Sequence, residues 1–424
     1  HGSSVYSGHK EDKVDSAAMA APKKVLLEVR VLAVCIFCLF VVASLWRQRP
    51  GVEDLQKDNV TINKSQDDEE EKPASPRHED EDCLVLRNKT TNTFSLTGNW
   101  VANATLAASL DQKHQQFGCQ QHPLPYPYNA HGCCSSKGEG PGAAAYRQSH
   151  FCPSISQNEM AIHHFLNVTR NKTVVILGDS ISLQTYASIG MQLRAHQIPF
   201  ETKQFDGTIS RQQYFVPSTK TTIRLVEIYE LLDVNRTGVN VQPGNPSSLN
   251  IHDDALKPVI SVADVFISNF GLHHWPFPSF HYAEYQHVRE LIQRENAKRN
   301  AIANTTSSSS SITPLCLIWR RTFPQHFFTS NGGGQYGDRV PNHTRYGCVP
   351  LNRSWVHPSD KALARIQADD SNSVPTMDFT SILHGASAFH SVQNSGADCS
   401  HMCYSPLVWD PIVHLMAETI RQAC

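Results

Sequence analysis

The chain has 424 residues and a formal net charge of −2, with a sequence pI near 6.9. That length supports one large domain or two medium ones with ample core. Lys and Arg are scattered rather than gathered into a stripe, so nothing in the charge pattern offers a footprint for nucleic acid.

The N-terminal region reads as addressing sequence. The first methionine is Met19, which we take as the natural start, leaving residues 1–18 as non-native and residues 1–24 as a cytoplasmic tail. Val31 to Trp46 is apolar. Extended back to residue 25, the stretch covers about one bilayer thickness at roughly 1.5 Å per residue. We read residues 25–46 as a transmembrane signal anchor, with Lys23, Lys24 and Arg30 favouring a cytoplasmic N-terminus. A cleaved signal peptide ending near Val42-Ala43-Ser44 is the alternative. Either reading delivers the rest of the chain to the secretory lumen.

Two further patterns agree. Asn-x-Ser/Thr sequons occur at Asn59, Asn63, Asn88, Asn103, Asn167, Asn171, Asn235, Asn304, Asn342 and Asn352, all after the apolar segment. Beyond that segment stand Cys83, Cys119, Cys133, Cys134, Cys152, Cys316, Cys348, Cys399, Cys403 and Cys424. Ten thiols in an oxidising compartment are read as disulfides, and the spacing offers no paired Cys-x-x-Cys set for zinc. No metal site is expected.

Residues 47–82 carry the run Asp67-Asp68-Glu69-Glu70-Glu71 together with Pro73 and Pro76, and form an acidic, disordered stem. A lumenal catalytic domain spans 83–424. Its first part, 83–160, is Cys-, Gly- and Pro-rich and reads as a loop-dominated lobe. Beyond residue 170, strand and helix signals alternate. Strands are expected at Thr173-Leu177, Thr222-Tyr229, Asp264-Asn269, Leu315-Arg320 and Val374-Asp378. Helices are expected at Ser182-Gln197, Tyr282-Ala301, Lys361-Asp369 and Asp410-Gln422, the last tied by Cys424. That alternation predicts an α/β fold, a parallel sheet with helices on both faces, whose ligands bind outside the carboxyl ends of the strands.

Gly178-Asp179-Ser180 lies at such an end, directly after the buried run Val174-Val175-Ile176-Leu177. It is either an ordinary helix N-cap or a nucleophile presented on a tight strand-to-helix turn. A nucleophilic serine needs a base, an orienter for the base and donors for the oxyanion. The stretch ADCSHMCY, residues 397–404, supplies the first two. On a tight turn Asp398 could accept from one imidazole nitrogen of His401 while the other faces a serine. Cys399 and Cys403 would pin that turn. The alternative is a helix cap beside a surface histidine.

Two other stretches sit at strand ends. In DVFISNFGLHHW, residues 264–275, Asn269 and the Gly271 amide are natural oxyanion donors, and His273, His274 and Trp275 could line a sugar site. A turn with buried aromatics is the plain alternative, and a two-histidine metal site lacks a third ligand. In WRRTFPQHFFTSNGGG, residues 319–334, Arg320 and Arg321 close a strand and His326 follows. A cation there binds an anion or a substrate carbonyl, or serves a structural ion pair. The Gly332–Gly334 run lacks the Lys and Ser/Thr of a phosphate loop.

Taken in this order, these motifs resemble the PC-esterase group of SGNH-type proteins, and more narrowly the trichome birefringence-like family of polysaccharide O-acetyltransferases. That family's Gly-Asp-Ser is matched by Gly178-Asp179-Ser180, and its Asn-x-Gly-His-Trp by Asn269-Phe270-Gly271 with His273-His274-Trp275, one residue longer. Arg-Thr-x-x-Pro-x-His-Phe is close to Arg321 to Phe327, which is one residue shorter, and Asp-Cys-x-His-Trp-Cys is matched by Asp398 to Cys403 with Met402 in place of Trp. Gly98-Asn99-Trp100 and Tyr146-Arg147 with Cys152-Pro153 are similar to the family's Cys-rich N-terminal lobe. The resemblance implies a three-layer SGNH-like domain in a single-pass type II Golgi membrane protein. It implies Ser180 as nucleophile, His401 as base and Asp398 as orienter; Gly178, Asp179, Arg321 and His326 are candidate oxyanion or substrate-binding residues beside them. An acetyl donor, acetyl-CoA or an acetylated intermediate, would be a co-substrate rather than a bound cofactor. A glycan or polysaccharide would accept the acetyl group, with a separate membrane protein as a candidate source of it. An acetylesterase using the same triad and an inactive glycan-binding protein are the competing readings.

Overall fold

In a computed structural model of the chain, the described residues are 83–98, 100–102, 149–152, 160–204, 210–227, 253–269, 278–305, 313–330, 356–368, 374–393, 396–402 and 404–424, with a few isolated positions between them. All lie in one compact unit, Pro76–Cys424. The expected tail, anchor and stem lie outside the described residues. So do Cys119, Cys133, Cys134 and Cys403, and the sequons Asn59, Asn63, Asn103, Asn235, Asn342 and Asn352. Among the described residues no helix is long and apolar enough to cross a membrane.

In chain order the elements are β1 (Val85–Asn88), β2 (Thr93–Leu96), β3 (Trp100–Ala102), β4 (Ser149–Phe151), α1 (Met160–Val168), β5 (Thr173–Gly178), α2 (Ser180–Ala195), β6 (Glu201–Gln204), β7 (Ser210–Val216) and β8 (Thr221–Glu227). There follow α3 (Asp253–Ile260), β9 (Val265–Asn269), α4 (Pro278–Thr305), β10 (Cys316–Arg320), α5 (Pro358–Ala368), β11 (Thr376–Asp378), α6 (Thr380–Leu383), a 3₁₀ turn at Ala386–Phe389, β12 (His390–Gln393), β13 (Gly396–Met402) and α7 (Pro406–Ala423). Nine strands make one sheet in the order β1-β2-β11-β10-β9-β5-β8-β7-β6. The six from β2 to β8 run parallel, and β1, β7 and β6 are antiparallel additions at the edges.

The central strands explain the three layers. Along β5, Val174 and Ile176 enter one core while Val175 and Leu177 enter the other, and all four are fully buried. β9 and β10 repeat the division, with Val265, Ile267 and Ile318 on one side and Phe266, Leu317 and Trp319 on the other. A strand apolar on both faces needs helices above and below it. The first core takes α1, α2 and α7, and the second takes α3, α4 and α5. α4 is also tied by polar contacts. Asn296 bonds both the amide and the carbonyl of Leu315, and Arg299 Nη2 donates to the carbonyls of Ile260, Ser261 and Ala263 at the end of α3.

The segment expected as a separate Cys-rich lobe begins differently. β1 and β2 extend the main sheet through β2–β11 pairing, and a Cys83–Cys152 disulfide closes this segment onto β4. Trp100 stacks on Phe389 and donates from Nε1 to the Ile382 carbonyl, which docks β3 on the same body. Cys316–Cys424 ties β10 to the end of α7, and Cys348–Cys399 reaches into β13. α2 begins at Ser180 itself rather than Ser182, and α7 begins at Pro406 behind the Ser405 cap rather than at Asp410. The sequons Asn88, Asn167, Asn171 and Asn304 are all exposed.

Candidate active site

The sheet order reverses around β5. The chain goes from β5 to β8 on one side and then returns to β9 on the other. Such a switch leaves a crevice at the carboxyl ends of the strands. Gly178, Asn269, Arg320 and Asp378 are the last residues of β5, β9, β10 and β11, so four strand ends deliver the polar residues to one place.

Gly178 makes the first turn possible. Its φ is +144°, and a Cβ there would sit 2.1 Å from the Asn269 carbonyl oxygen and 2.5 Å from Ser182 Oγ. Only glycine tolerates both the backbone angle and the close approach of β9. Asp179 then caps α2, its side chain accepting from the Ile181 amide at 3.0 Å. The helix-cap reading of this stretch holds. Asp179 is the helix cap, and Ser180 is the exit residue it positions.

Ser180 Oγ lies 2.8 Å from His401 Nε2, across 221 residues of sequence. Ser180 is buried, at 7 % exposure, and sits at the positive end of α2. Asp398 lies in β13, but its side chain is outside what the structure describes. The tight turn expected around Asp398–His401 is instead a bulge in a hairpin. β12 and β13 pair at His390–Met402 and again at Val392–Ala397, so one residue of β12 faces four of β13. In a regular strand residues three apart point to opposite faces; a bulge removes that rule and re-aims side chains.

The bulge is held from both sides. Gln184, one turn after Ser180 on α2, donates from Nε2 to the Met402 carbonyl at 2.7 Å and accepts from the Met402 amide at 3.1 Å. One helical turn thus presents the serine and clamps the strand that bears its histidine. On the other side Cys348–Cys399, Gln325 Nε2 on Ser400 Oγ, and the His326 amide on the Cys399 carbonyl hold the loop after β10.

Several expectations need correction. Asn269 was expected to stabilise an oxyanion. Its Nδ2 instead donates to the Arg320 carbonyl at 2.7 Å and Thr322 Oγ1 at 3.3 Å, and its Oδ1 accepts from Arg320. Its amide bridges two strand ends. Of the two readings left open for Arg321, a substrate contact or a structural ion pair, the structure shows the second, with Asp378 at 2.7 Å and the side chain 27 % exposed. Its neighbour Arg320 is the buried cation. Nη2 of Arg320 donates to Ser182 Oγ and Asn269 Oδ1, both at 3.1 Å, and lies 3.9 Å from Asp179. Burial pulls the guanidinium below its ordinary value, while Asp179 first and Tyr285 next pull it back up. Arg320 ends β10 facing inward and Arg321 is the first residue beyond it, a distinction invisible in a doublet. His326 was expected as a binding residue, yet it is fully buried behind the bulge. Gly271, His273, His274 and Trp275 lie outside the described residues.

A second polar line, missed in the sequence, runs outward from Asn269. Asn269 donates to Thr322 Oγ1, Thr322 pairs with Ser359 Oγ, and Ser359 meets His357 Nδ1 at 2.6 Å. The Ser359 amide also donates to that nitrogen, so Nδ1 carries a lone pair. Burial accordingly holds His357 down at about 4. Asp360 accepts from the Thr322 amide at 3.0 Å, and burial raises its carboxyl to about 7. The only sequence signal was Ser-Asp at the start of an expected helix, which reads as a cap. Among the described residues no three His, Cys, Asp or Glu side chains converge as a metal site.

A helix N-terminus that presents a serine to a histidine from a late strand, above a doubly covered parallel sheet, defines the GDSL/SGNH-like class. The chain belongs to the PC-Esterase family, the GDSL/SGNH-like acyl-esterase family found in Pmr5 and Cas1p, whose model matches residues 159–416, well over half of it. Membership places the protein among acyl-ester hydrolases and acyl transferases. A comparison with curated proteins finds no match.

Proposed function

We propose that the protein is an O-acetyltransferase that carries an acetyl group on Ser180 and passes it to a hydroxyl of a glycan or polysaccharide. The observation that carries this reading is the Ser180 Oγ–His401 Nε2 hydrogen bond of 2.8 Å at the mouth of the parallel sheet. His401 takes the Ser180 proton as Oγ attacks the acetyl carbonyl, then returns it to the departing oxygen or sulfur of the donor. In the second half, the sugar hydroxyl gives its proton to His401 and attacks the acetyl carbon. The Ser180–acetyl bond breaks, and the proton goes back to Oγ. The Ser180 amide, opening α2, is a backbone donor beside the developing oxyanion. Asp398 would orient His401, as the resemblance implies.

The transfer half rests on the resemblance to the trichome birefringence-like proteins. Water in place of the sugar hydroxyl would make the same residues an acetylesterase. The apolar N-terminal stretch, the lumenal sequons and the disulfides favour a Golgi membrane protein with its active domain in the lumen. The test uses the full chain, an acetylated chromogenic phenol and a panel of oligosaccharides, with products read by mass spectrometry. Acetylated sugar from the wild type and none from Ser180→Ala is the expected result. Free acetate whatever sugar is present would establish the esterase, and unchanged turnover by Ser180→Ala would overturn the site.

A further inference from the structure

His326 and His390 are buried side by side at 0 % and 4 % exposure, and Ser180's hydrogen bond uses neither. His326 Nδ1 lies 2.6 Å from His390 Nε2, and His390 Nδ1 lies 3.0 Å from the backbone carbonyl of His401. A carbonyl only accepts, so His390 Nδ1 carries the hydrogen. Neutral His390 then has a lone pair on Nε2, and the proton between the rings belongs to His326 Nδ1. On these two bonds, donation runs from His326 through His390 to the His401 backbone.

We propose that the His326–His390 pair is a positioning strut that fixes the bulged backbone at His401, and through it the imidazole, at bonding distance from Ser180. The inference rests on the reading of Ser180 and His401 as the reacting pair. Three observations support it. The bulge leaves Asp398 to His401 without regular ladder partners between Ala397 and Met402, so their backbone must be held by other means. The strut meets the His401 carbonyl itself, while Gln184 meets Met402 and His326's own amide meets the Cys399 carbonyl. Burial, then the adjacent His390, push the His326 imidazole well below its usual value, with the backbone of His384 and Leu383 pulling back. His326 thus stays neutral, as a donor at the head of that line requires.

The side-chain geometry supplies the test. Asn at position 390 places an amide nitrogen where Nδ1 stands and keeps the bond to His401. Gln places its amide at the far position and loses that bond. With the full chain and the acetylated phenol, His390→Asn, which keeps the bond to His401 and gives up the bond to His326, should retain more kcat than His390→Gln. His390→Gln should lose on the order of ten- to a hundredfold in kcat with KM unchanged, the scale of a small misplacement of a catalytic group. His326→Asn against His326→Gln repeats the contrast from the other end, and decides the question if either variant at 390 fails to fold by melting temperature. Equal loss in the Asn and Gln variants, or wild-type kcat in the Gln variants, overturns the strut. Ser180→Ala runs alongside: residual turnover there would overturn the reacting pair, whereas a dead Ser180→Ala with a fully active His390→Gln removes the strut alone.

Discussion

At the scale of single residues, Gly178 resists replacement on two counts, its backbone angle and the close approach of β9. The Gly178→Ala methyl would meet the Asn269 carbonyl at 2.1 Å while forcing a side chain into φ +144°. Strain and overpacking together should cost on the order of 2–4 kcal/mol. Chemical denaturation should show that loss, and a variant as stable as the wild type would mean β9 can retreat. Asn269→Ala tests the corrected role of that residue. Its amide holds the Arg320 backbone and guanidinium, so we expect a stability loss of about 1–3 kcal/mol from buried groups left unpaired. An acyl-transfer defect with unchanged stability would restore the oxyanion assignment instead. Residue identity was legible where chemistry restricts the choice, as at Gly178-Asp179-Ser180 and His401. It was not legible for Arg320 against Arg321, or for His326. Those differ only in which way a side chain points, and that follows from strand register and burial rather than from local sequence.

At the scale of elements, the central strands were readable because they are apolar on both faces, and their bounds shifted by only a residue or two. Some of the missing elements were short or polar. β6 and β7 pair with one another and with β8 at an edge, where alternation is diluted by solvent-facing residues such as Glu201, Thr202 and Lys203. The β12–β13 hairpin was hidden because its bulge breaks the two-residue period that marks a strand. The link between α2 and that hairpin gives a prediction of its own. Gln184→Leu removes both bonds to the Met402 backbone without changing the volume much. It should lower kcat for acetyl release by about tenfold or more with little change in KM, because the base moves while the binding surface stays. A variant with wild-type kcat would show that the opposite side of the hairpin suffices.

At the scale of the whole molecule, stability should depend on pH through two buried groups that pull in opposite directions. Asp360, ordinarily near 3.8, is raised by burial to about 7, against the lowering effect of the Thr322 amide and Arg321. Between those values the folded protein holds a proton that the unfolded chain has released. Its contribution is therefore fully present at low pH and is lost as pH rises through about 7. His357 runs the other way. It is held down at about 4 from an ordinary 6.5, so the unfolded chain binds the extra proton and stability falls as pH drops through that window. These two slopes oppose each other over most of the acid range, so the wild type's loss of stability toward low pH is carried by His326, whose imidazole burial holds well below its usual value. Asp360→Asn keeps an acceptor for the Thr322 amide and removes one slope. Its stability relative to the wild type should climb steadily from pH 4 to pH 7 and level off above. Denaturant titrations of the two proteins at several pH values measure this difference directly. Parallel curves across the range would mean that Asp360 is ionised in the folded protein, with Arg321 and the Thr322 amide outweighing its burial.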